Sequence, residues 1–208
     1  MVEPYKADLI VAYDTYVAAF EKRFDSTFRE VTEPFFQRFV QTIPGKRVLD
    51  LGSGAGSNAV LFTKKGFDVT CIDLSQKMVE RCMKKGLCAI QGDMEEVQFS
   101  PNSFDGIWAY CSLLHLKREN IPRMVECLST WLKKDGLLGV GFLDEGRADE
   151  SREDKSYPGV HRWFSYYKME EIPLFFANHF DIIFEEKKSA KRSNGNPFYY
   201  LHVLMRKK

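Results

Sequence analysis

The stretch Val48-Leu49-Asp50-Leu51-Gly52-Ser53-Gly54-Ala55-Gly56-Ser57-Asn58 constrains this 208-residue chain more than any other. An apolar run holding one acid breaks into three glycines at alternate positions, which reads as a buried strand, a tight turn and the start of a helix. Glycine reaches positive φ cheaply and lets backbone approach a ligand closely. The helix behind such a turn offers unpaired N–H groups and the positive end of its dipole. A nucleotide-like ligand is the expected occupant.

The flanking sequence alternates as such a site requires. Residues 47–51, 68–72, 87–91, 104–110 and 137–143 read as strands, with helices predicted over 57–65, 75–85 and 121–134. Ser75 suits the cap of one helix, and Gly66, Gly86 and Gly136 stop the three. Strand–helix units with short links give a parallel sheet covered by helices on both faces. Ahead of them, Tyr5, Leu9, Ala12, Tyr13, Tyr16, Val17 and Phe20 recur at helical spacing, and a second helix is predicted over 32–42 with Glu33 and Pro34 in its first turn. Behind them, 144–155 is charged and aperiodic and reads as a mobile loop, 161–167 is dense in aromatics, and 168–178 reads as a helix. Segments 180–186 and 198–205 read as strands whose connection, carrying Asn194-Gly195, is too short for a crossover, so they form an antiparallel hairpin. One domain is expected over 1–208, divided into an N-terminal helical part (1–44), a ligand-binding core (45–143) and a final segment (144–208).

Bulk properties exclude more than they assign. The 30 basic and 29 acidic residues give a formal charge of +1, which speaks against a polyanion channel. No apolar run approaches the ~20 residues of a membrane span, and the first residues show neither the basic start nor the apolar stretch of an export signal. The five cysteines, odd in number and without a CxxC pair, read as reduced thiols of a cytoplasmic protein, and no metal site is expected.

In open α/β sheets ligands sit outside the carboxyl ends of the strands, and three such ends carry polar features here. The glycine turn follows the first strand. Asp73 ends the second, about 20 residues on, the spacing at which an acid meets a ribose diol. Asp93 follows Gly92 after the third. A dinucleotide fingerprint wants glycine where Ser57 stands, and no Gly-Lys-Ser/Thr triplet follows the glycines. Asp50 would repel a pyrophosphate and suit a cationic amine. A cofactor with a ribose, an adenine and an amino-acid amine fits all three acids.

The run 48–56 resembles the first motif of the class I S-adenosylmethionine-dependent methyltransferases. Val69-Thr70-Cys71-Ile72-Asp73-Leu74-Ser75 with Met78 is similar to their second motif, Gln91-Gly92-Asp93-Met94 to the third, and 104–115 to the fourth. The likeness runs from Arg47 to Leu143 and is nearest to small-molecule, type 11-like members. It implies a Rossmann-like, doubly wound α/β sheet of about seven strands, mostly parallel with an antiparallel C-terminal hairpin strand, and N-terminal helices acting as a lid. It also implies S-adenosyl-L-methionine as cofactor. Asp50 with the turn of Gly52, Ser53 and Gly54, and Asn58 behind it, would hold the methionyl end; Asp73 would accept the ribose hydroxyls. Leu74 and Met78 would sandwich the adenine, Asp93 and the Met94 backbone would bond its amino edge, and Ala109, Tyr110 and Cys111 would lie beside the sulfonium.

The acceptor side is less defined. His115 and Tyr110 are the candidate catalytic groups, with His161 as a further base. Tyr13, Tyr16, His161 and Arg162 are candidate substrate contacts, Arg162 being a fixed cation among aromatics. Cys111 lacks the preceding proline of the cytosine-C5 enzymes. A small-molecule methyl acceptor is expected. The basic run 187–192 keeps an RNA methyltransferase open as an alternative, and a non-catalytic cofactor-binding module is a third reading. The sequence does not define an oligomeric state.

Overall fold

The glycine turn lies at the carboxyl end of an interior strand of a seven-stranded sheet in the computed structural model, which describes residues 2–23, 29–191 and 197–208. Its strands are β1 (Arg47–Leu51), β2 (Asp68–Asp73), β3 (Cys88–Gln91), β4 (Phe104–Tyr110), β5 (Leu132–Asp144), β8 (Phe180–Lys191) and β9 (Pro197–Lys207). They are ordered β3-β2-β1-β4-β5-β9-β8. β1 pairs in parallel with both β2 and β4, and β4 with β5, while β9 runs antiparallel between β5 and β8. Chain order reverses between β1 and β4, and such a switch point opens a crevice for a ligand.

Period two along the strands divides the core into two layers. On one face of β4, Ile107 and Ala109 join the layer of α6 (Ile121–Trp131) and α7 (Ile172–Phe176), where Met124, Leu128, Trp131 and Phe176 are buried. On the other, Trp108 and Tyr110 join Phe35, Phe36 and Phe39 of α3 (Arg29–Thr42), Phe62 of α4 (Ser57–Lys64) and Val79 of α5 (Gln76–Lys84). β4 is buried at all seven positions, as a central strand covered on both faces must be. Ser75 Oγ accepts from Met78 N, the expected cap of α5.

The structure departs from the sequence reading at four places. α3 begins three residues early, leaving Pro34 inside the helix, because Val31 extends the buried stripe of Phe35 and Phe39 by one turn. Residues 144–155 are not all loop: β6 (Glu150–Asp154) pairs antiparallel with β7 (Tyr157–Phe164) as a separate hairpin. α6 stops at Trp131, since Leu132 already pairs with Phe104 in the sheet. The helix expected over 168–178 contracts to a 3-10 turn and the short α7. The turn expected at Asn194-Gly195 lies outside the described residues. Two further helices, α1 (Pro4–Thr15) and α2 (Val17–Arg23), precede α3, and α1 packs on β7 and α5. Among the described residues no helix is long and apolar enough to cross a membrane.

Candidate functional site

A cleft opens at the carboxyl ends of β1, β2, β3 and β4, with α1 across it; its empty space is about 680 Å³, part of it open to solvent. Gly52 and Gly54 form one wall. Both hold positive φ, at 73° and 54°. A Cβ on Gly52 would stand 2.4 Å from Ser112 Cβ, whereas one on Gly54 would meet nothing within 4 Å. The first glycine therefore lets two backbone segments close on each other, and the second faces free space.

Asp73 anchors the turn to the next strand. Its Oδ2 accepts from Gly54 N at 2.8 Å and its Oδ1 from Ser75 N at 2.9 Å. Burial raises its pKa to about 6, against those backbone bonds and with Asp14 adding to the rise. Asp50 is 2% exposed, and its Oδ2 is buried without a hydrogen-bond partner. Burial, then the neighbouring Cys82 and Asp73, pushes its carboxyl well above the usual range. Ser112 lines the cleft and its Oγ is likewise buried without a partner. The orphaned Ser112 Oγ beside open backbone marks a place where a polar ligand completes the structure, whereas Asp50 does not line the cleft.

The opposite wall comes from α1. Lys6 Nζ lies 2.8 Å from Asp93 Oδ2 and 2.5 Å from Glu95 Oε2, and the Asp93 Oδ1 accepts from Glu95 N at 2.9 Å. Asp14 accepts from Ser75 Oγ and from Lys77 N, seating α1 on the first turn of α5. Tyr13 Oη stands 2.6 Å from His115 Nε2, and His115 Nδ1 stands 2.7 Å from the Trp163 carbonyl oxygen. A carbonyl can only accept, so Nδ1 carries the hydrogen, Nε2 holds the lone pair and Tyr13 donates to it. Burial lowers the His115 pKa to about 3, with the Arg162 charge working in the same direction.

Of the residues singled out from sequence, the cleft gathers Tyr13, Gly52, Gly54, Asp73, Leu74, Asp93, Met94, Cys111 and His115. Ser53 lies in the same turn, its Oγ 3.7 Å from Cys82 Sγ, while Asn58 and Met78 are buried in the helices behind it. Tyr110 is a correction. The strand's alternation turns it to the α3 face, where its ring stacks on Trp108 at 5.4 Å and its hydroxyl meets His202 Nε2 at 2.8 Å. Ala109 is fully buried in the α6 layer. Tyr16 bonds the Pro158 carbonyl at 2.7 Å, away from the cleft, and His161 is exposed on β7. Arg162 is buried behind Tyr13, its guanidinium 5.8 Å from that ring centre. In the basic run, Lys187 pairs with Asp144 at 2.7 Å and lies over Tyr199, and Arg192 is outside the described residues.

The sequence places the acceptor side at the N-terminal helices and at 112–120, where Ser112 and Leu116 line the cleft, but it did not single out Lys6 and Leu9 of α1. Lys6 was legible in one respect: it interrupts the apolar side of α1 beside Tyr5 and Leu9, where a lysine is buried only with partners.

Residues 48–136 match the family model of a methyltransferase domain. A protein of Geobacillus sp. (strain WCH70) with a provisional methyltransferase name is 29% identical over 168 residues, covering 75% of this chain and 67% of that one. The sarcosine/dimethylglycine N-methyltransferase of Aphanothece halophytica is 33% identical over 150 residues, 62% of this chain and 53% of its own. Among solved structures, the Burkholderia thailandensis 1,6-didemethyltoxoflavin-N1-methyltransferase, with bound 1,6-didemethyltoxoflavin and S-adenosylhomocysteine, superposes with a TM-score of 0.74 at 17% identity. That likeness spans 100% of this chain and 92% of the other, and it speaks for the fold.

Proposed function

We propose that this chain, whose residues 48–136 match a methyltransferase domain, is a class I S-adenosylmethionine-dependent methyltransferase that moves the cofactor's methyl group to a small-molecule acceptor held between the strand ends and α1. The observation that carries this reading is the tethered α1: a helix that lies over the cleft through Lys6, Tyr13 and Asp14 supports a small acceptor rather than a folded RNA. The whole of 1–208 is read as one domain, with 1–44 as lid, 45–143 as cofactor core and 144–208 as the acceptor side.

The orphaned Ser112 Oγ suits the carboxylate of the methionyl end. Asp73, whose two oxygens each accept one backbone bond, keeps lone pairs for both ribose hydroxyls. Leu74 and Met94 offer apolar contact to the adenine, and Asp93, braced by Lys6 and Glu95 N, faces its amino edge. When bound, the cofactor supplies a methyl on positively charged sulfur that is open to in-line displacement.

The chain's own work is orientation and exclusion of water. Tyr13 gives its hydrogen to His115, so its oxygen presents only lone pairs and accepts from an acceptor N–H or O–H. That contact turns the acceptor's lone pair toward the methyl, and correct alignment supplies several kcal/mol of a transfer barrier, ~7 in good cases. His115, neutral and held far below its ordinary pKa, is in this closed arrangement an orienting acceptor rather than a strong base.

The test is thermal. S-adenosylhomocysteine at 100 times its Kd is expected to stabilise the fold by about 2.7 kcal/mol, NAD to give no shift, and Asp73→Ala to lose most of the effect. A shift with NAD alone would overturn the reading. Labelled methyl incorporation into bulk tRNA, with none into a metabolite extract, would replace the small molecule by RNA.

A further inference from the structure

The β6–β7 hairpin carries the carbonyl that orients His115, yet it stands apart from the main sheet. Among the described residues its two strands pair with each other in a sheet of their own. No ladder register therefore sets where the Trp163 carbonyl falls against His115, and other contacts must do so. They run to the two 3-10 turns that follow β4, Leu113–His115 and Arg118–Asn120. Ser165 N donates to Leu114 O and Ser165 Oγ to Leu116 O, both at 2.7 Å. Trp163 Nε1 donates to the same Ser165 Oγ at 3.1 Å.

Arg118 closes this seam from outside. Its Nε and Nη2 face the two oxygens of Asp149 at 3.3 and 3.4 Å, and Nη2 also donates to the Tyr166 carbonyl. Its Nη1 stands 3.5 Å from Glu171 Oε1, and its guanidinium carbon lies 4.5 Å from the Tyr167 ring centre. Asp149 Oδ1 in turn accepts from Tyr166 N at 2.9 Å. Asp149 immediately precedes β6 and Tyr166 follows β7, so one planar fork gathers both ends of the hairpin. It does so three residues beyond His115 in the chain. A guanidinium suits this work because its donors diverge in one plane, whereas a lysine ammonium acts as a point charge. Arg118 is one-third exposed, where an ion pair adds little stability, so its main effect is geometric.

Resting on the reading of Tyr13–His115 as the acceptor site, we propose that Arg118 is a positioning residue for that site: by clasping Asp149 and Tyr166 it keeps the Trp163 carbonyl on His115 Nδ1. The imidazole hydrogen is thereby fixed on Nδ1 and the lone pair of Nε2 is turned to Tyr13. Released from that carbonyl, the ring populates both neutral tautomers. The Nε2–H form then presents a donor to Tyr13 and disturbs the contact that orients the acceptor.

Nitrogen-15 NMR of the histidine-labelled full chain at neutral pH tests this, with S-adenosylhomocysteine titrated into the same samples. The wild type is expected to show His115 as a single Nδ1–H tautomer, its signals assigned by their absence in His115→Asn. In Arg118→Gln that single-tautomer signature is expected to be lost. Affinity for S-adenosylhomocysteine should stay within about twofold, since neither Asp149 nor Tyr166 lines the cleft. Arg118→Lys keeps the charge without the fork and is expected to lose the signature as well. It and Asp149→Asn carry the comparison if Arg118→Gln does not fold. A residue that merely held the hairpin down would lower the unfolding temperature and leave the His115 tautomer as it was. An unchanged His115 signature in the folded variants, or an Nε2–H tautomer in the wild type, overturns the proposal. Failure of the wild type to bind S-adenosylhomocysteine strikes the methyltransferase reading, while the tautomer still decides the clasp.

Discussion

Asp73 shows how one carboxylate ties the turn, the strand end and the expected ribose together, and its titration makes that testable. Its pKa in the fold is about 6 against 3.8 ordinarily, raised by burial. The folded chain therefore holds this proton more tightly than the unfolded one, so the contribution of this group to stability is full below pH 3.8 and is lost as pH rises through 6. Cofactor binding runs the other way, because ribose hydroxyls donate best to an ionised carboxylate. Affinity for S-adenosylhomocysteine, measured by calorimetry, is expected to fall about fourfold from pH 7.5 to 5.5 if Asp73 alone titrates; a flat profile would remove Asp73 from the ribose. His115 carries the opposite sign. Its pKa is lowered, so its contribution to stability is present above pH 6.5 and is lost as pH falls toward 3. Tyr13→Phe removes the one oxygen that His115 orients. It is expected to lower kcat by about 10² with cofactor Kd unchanged, and a change confined to cofactor Kd would make Tyr13 a lid contact only.

At the level of elements, the turn between β1 and α4 separates fold from function by two glycines. A methyl on Gly52 would collide with Ser112 at 2.4 Å and sit at φ 73°. Gly52→Ala is expected to cost about 3 kcal/mol or more in urea unfolding. A methyl on Gly54 meets open space but would project where a ligand's backbone-facing end must lie. Gly54→Ala should therefore unfold about 1 kcal/mol more easily while losing most of the S-adenosylhomocysteine shift; equal losses in both variants would mean the turn serves the fold alone. This turn was legible because its constraint is local: glycine spacing after an apolar run needs no knowledge of distant contacts. The β6–β7 hairpin was not. Its residues alternate in exposure as a strand's do, yet Glu150, Arg152 and Glu153 are charged, and the partial burial of Arg152 depends on Phe164 and Glu145. Tyr110 failed for a related reason: the strand was read correctly, but which of its two faces meets the cleft is fixed by how α3 and α6 pack, which the local pattern does not carry.

Across the whole molecule, the strand–helix alternation, the terminal hairpin and the three polar strand ends were legible from period and punctuation, whereas the seating of α1 was not, since it depends on single side chains meeting across the cleft. Lys6 reaches Asp93 and Glu95, Tyr13 reaches His115 and Asp14 reaches the start of α5, from sequence separations of about sixty to a hundred residues. None of these is a ladder bond of the sheet. The hydrogen bonds of β4 are protected by two buried layers, while those of α1 rest on a few ion pairs and one apolar stripe of Tyr5, Leu9 and Ala12. Local opening is drawn from the least buried elements, so α1 is the part of the molecule that can lift to admit cofactor and acceptor. Amide hydrogen exchange is expected to be fast in α1 and slow in β1, β4 and β5 in the free protein, with S-adenosylhomocysteine slowing α1 far more than the sheet. Lys6→Met should speed exchange in α1 without altering β4. Equal protection of α1 and the sheet without ligand would mean that the helix is part of the core and that the cleft fills by another route.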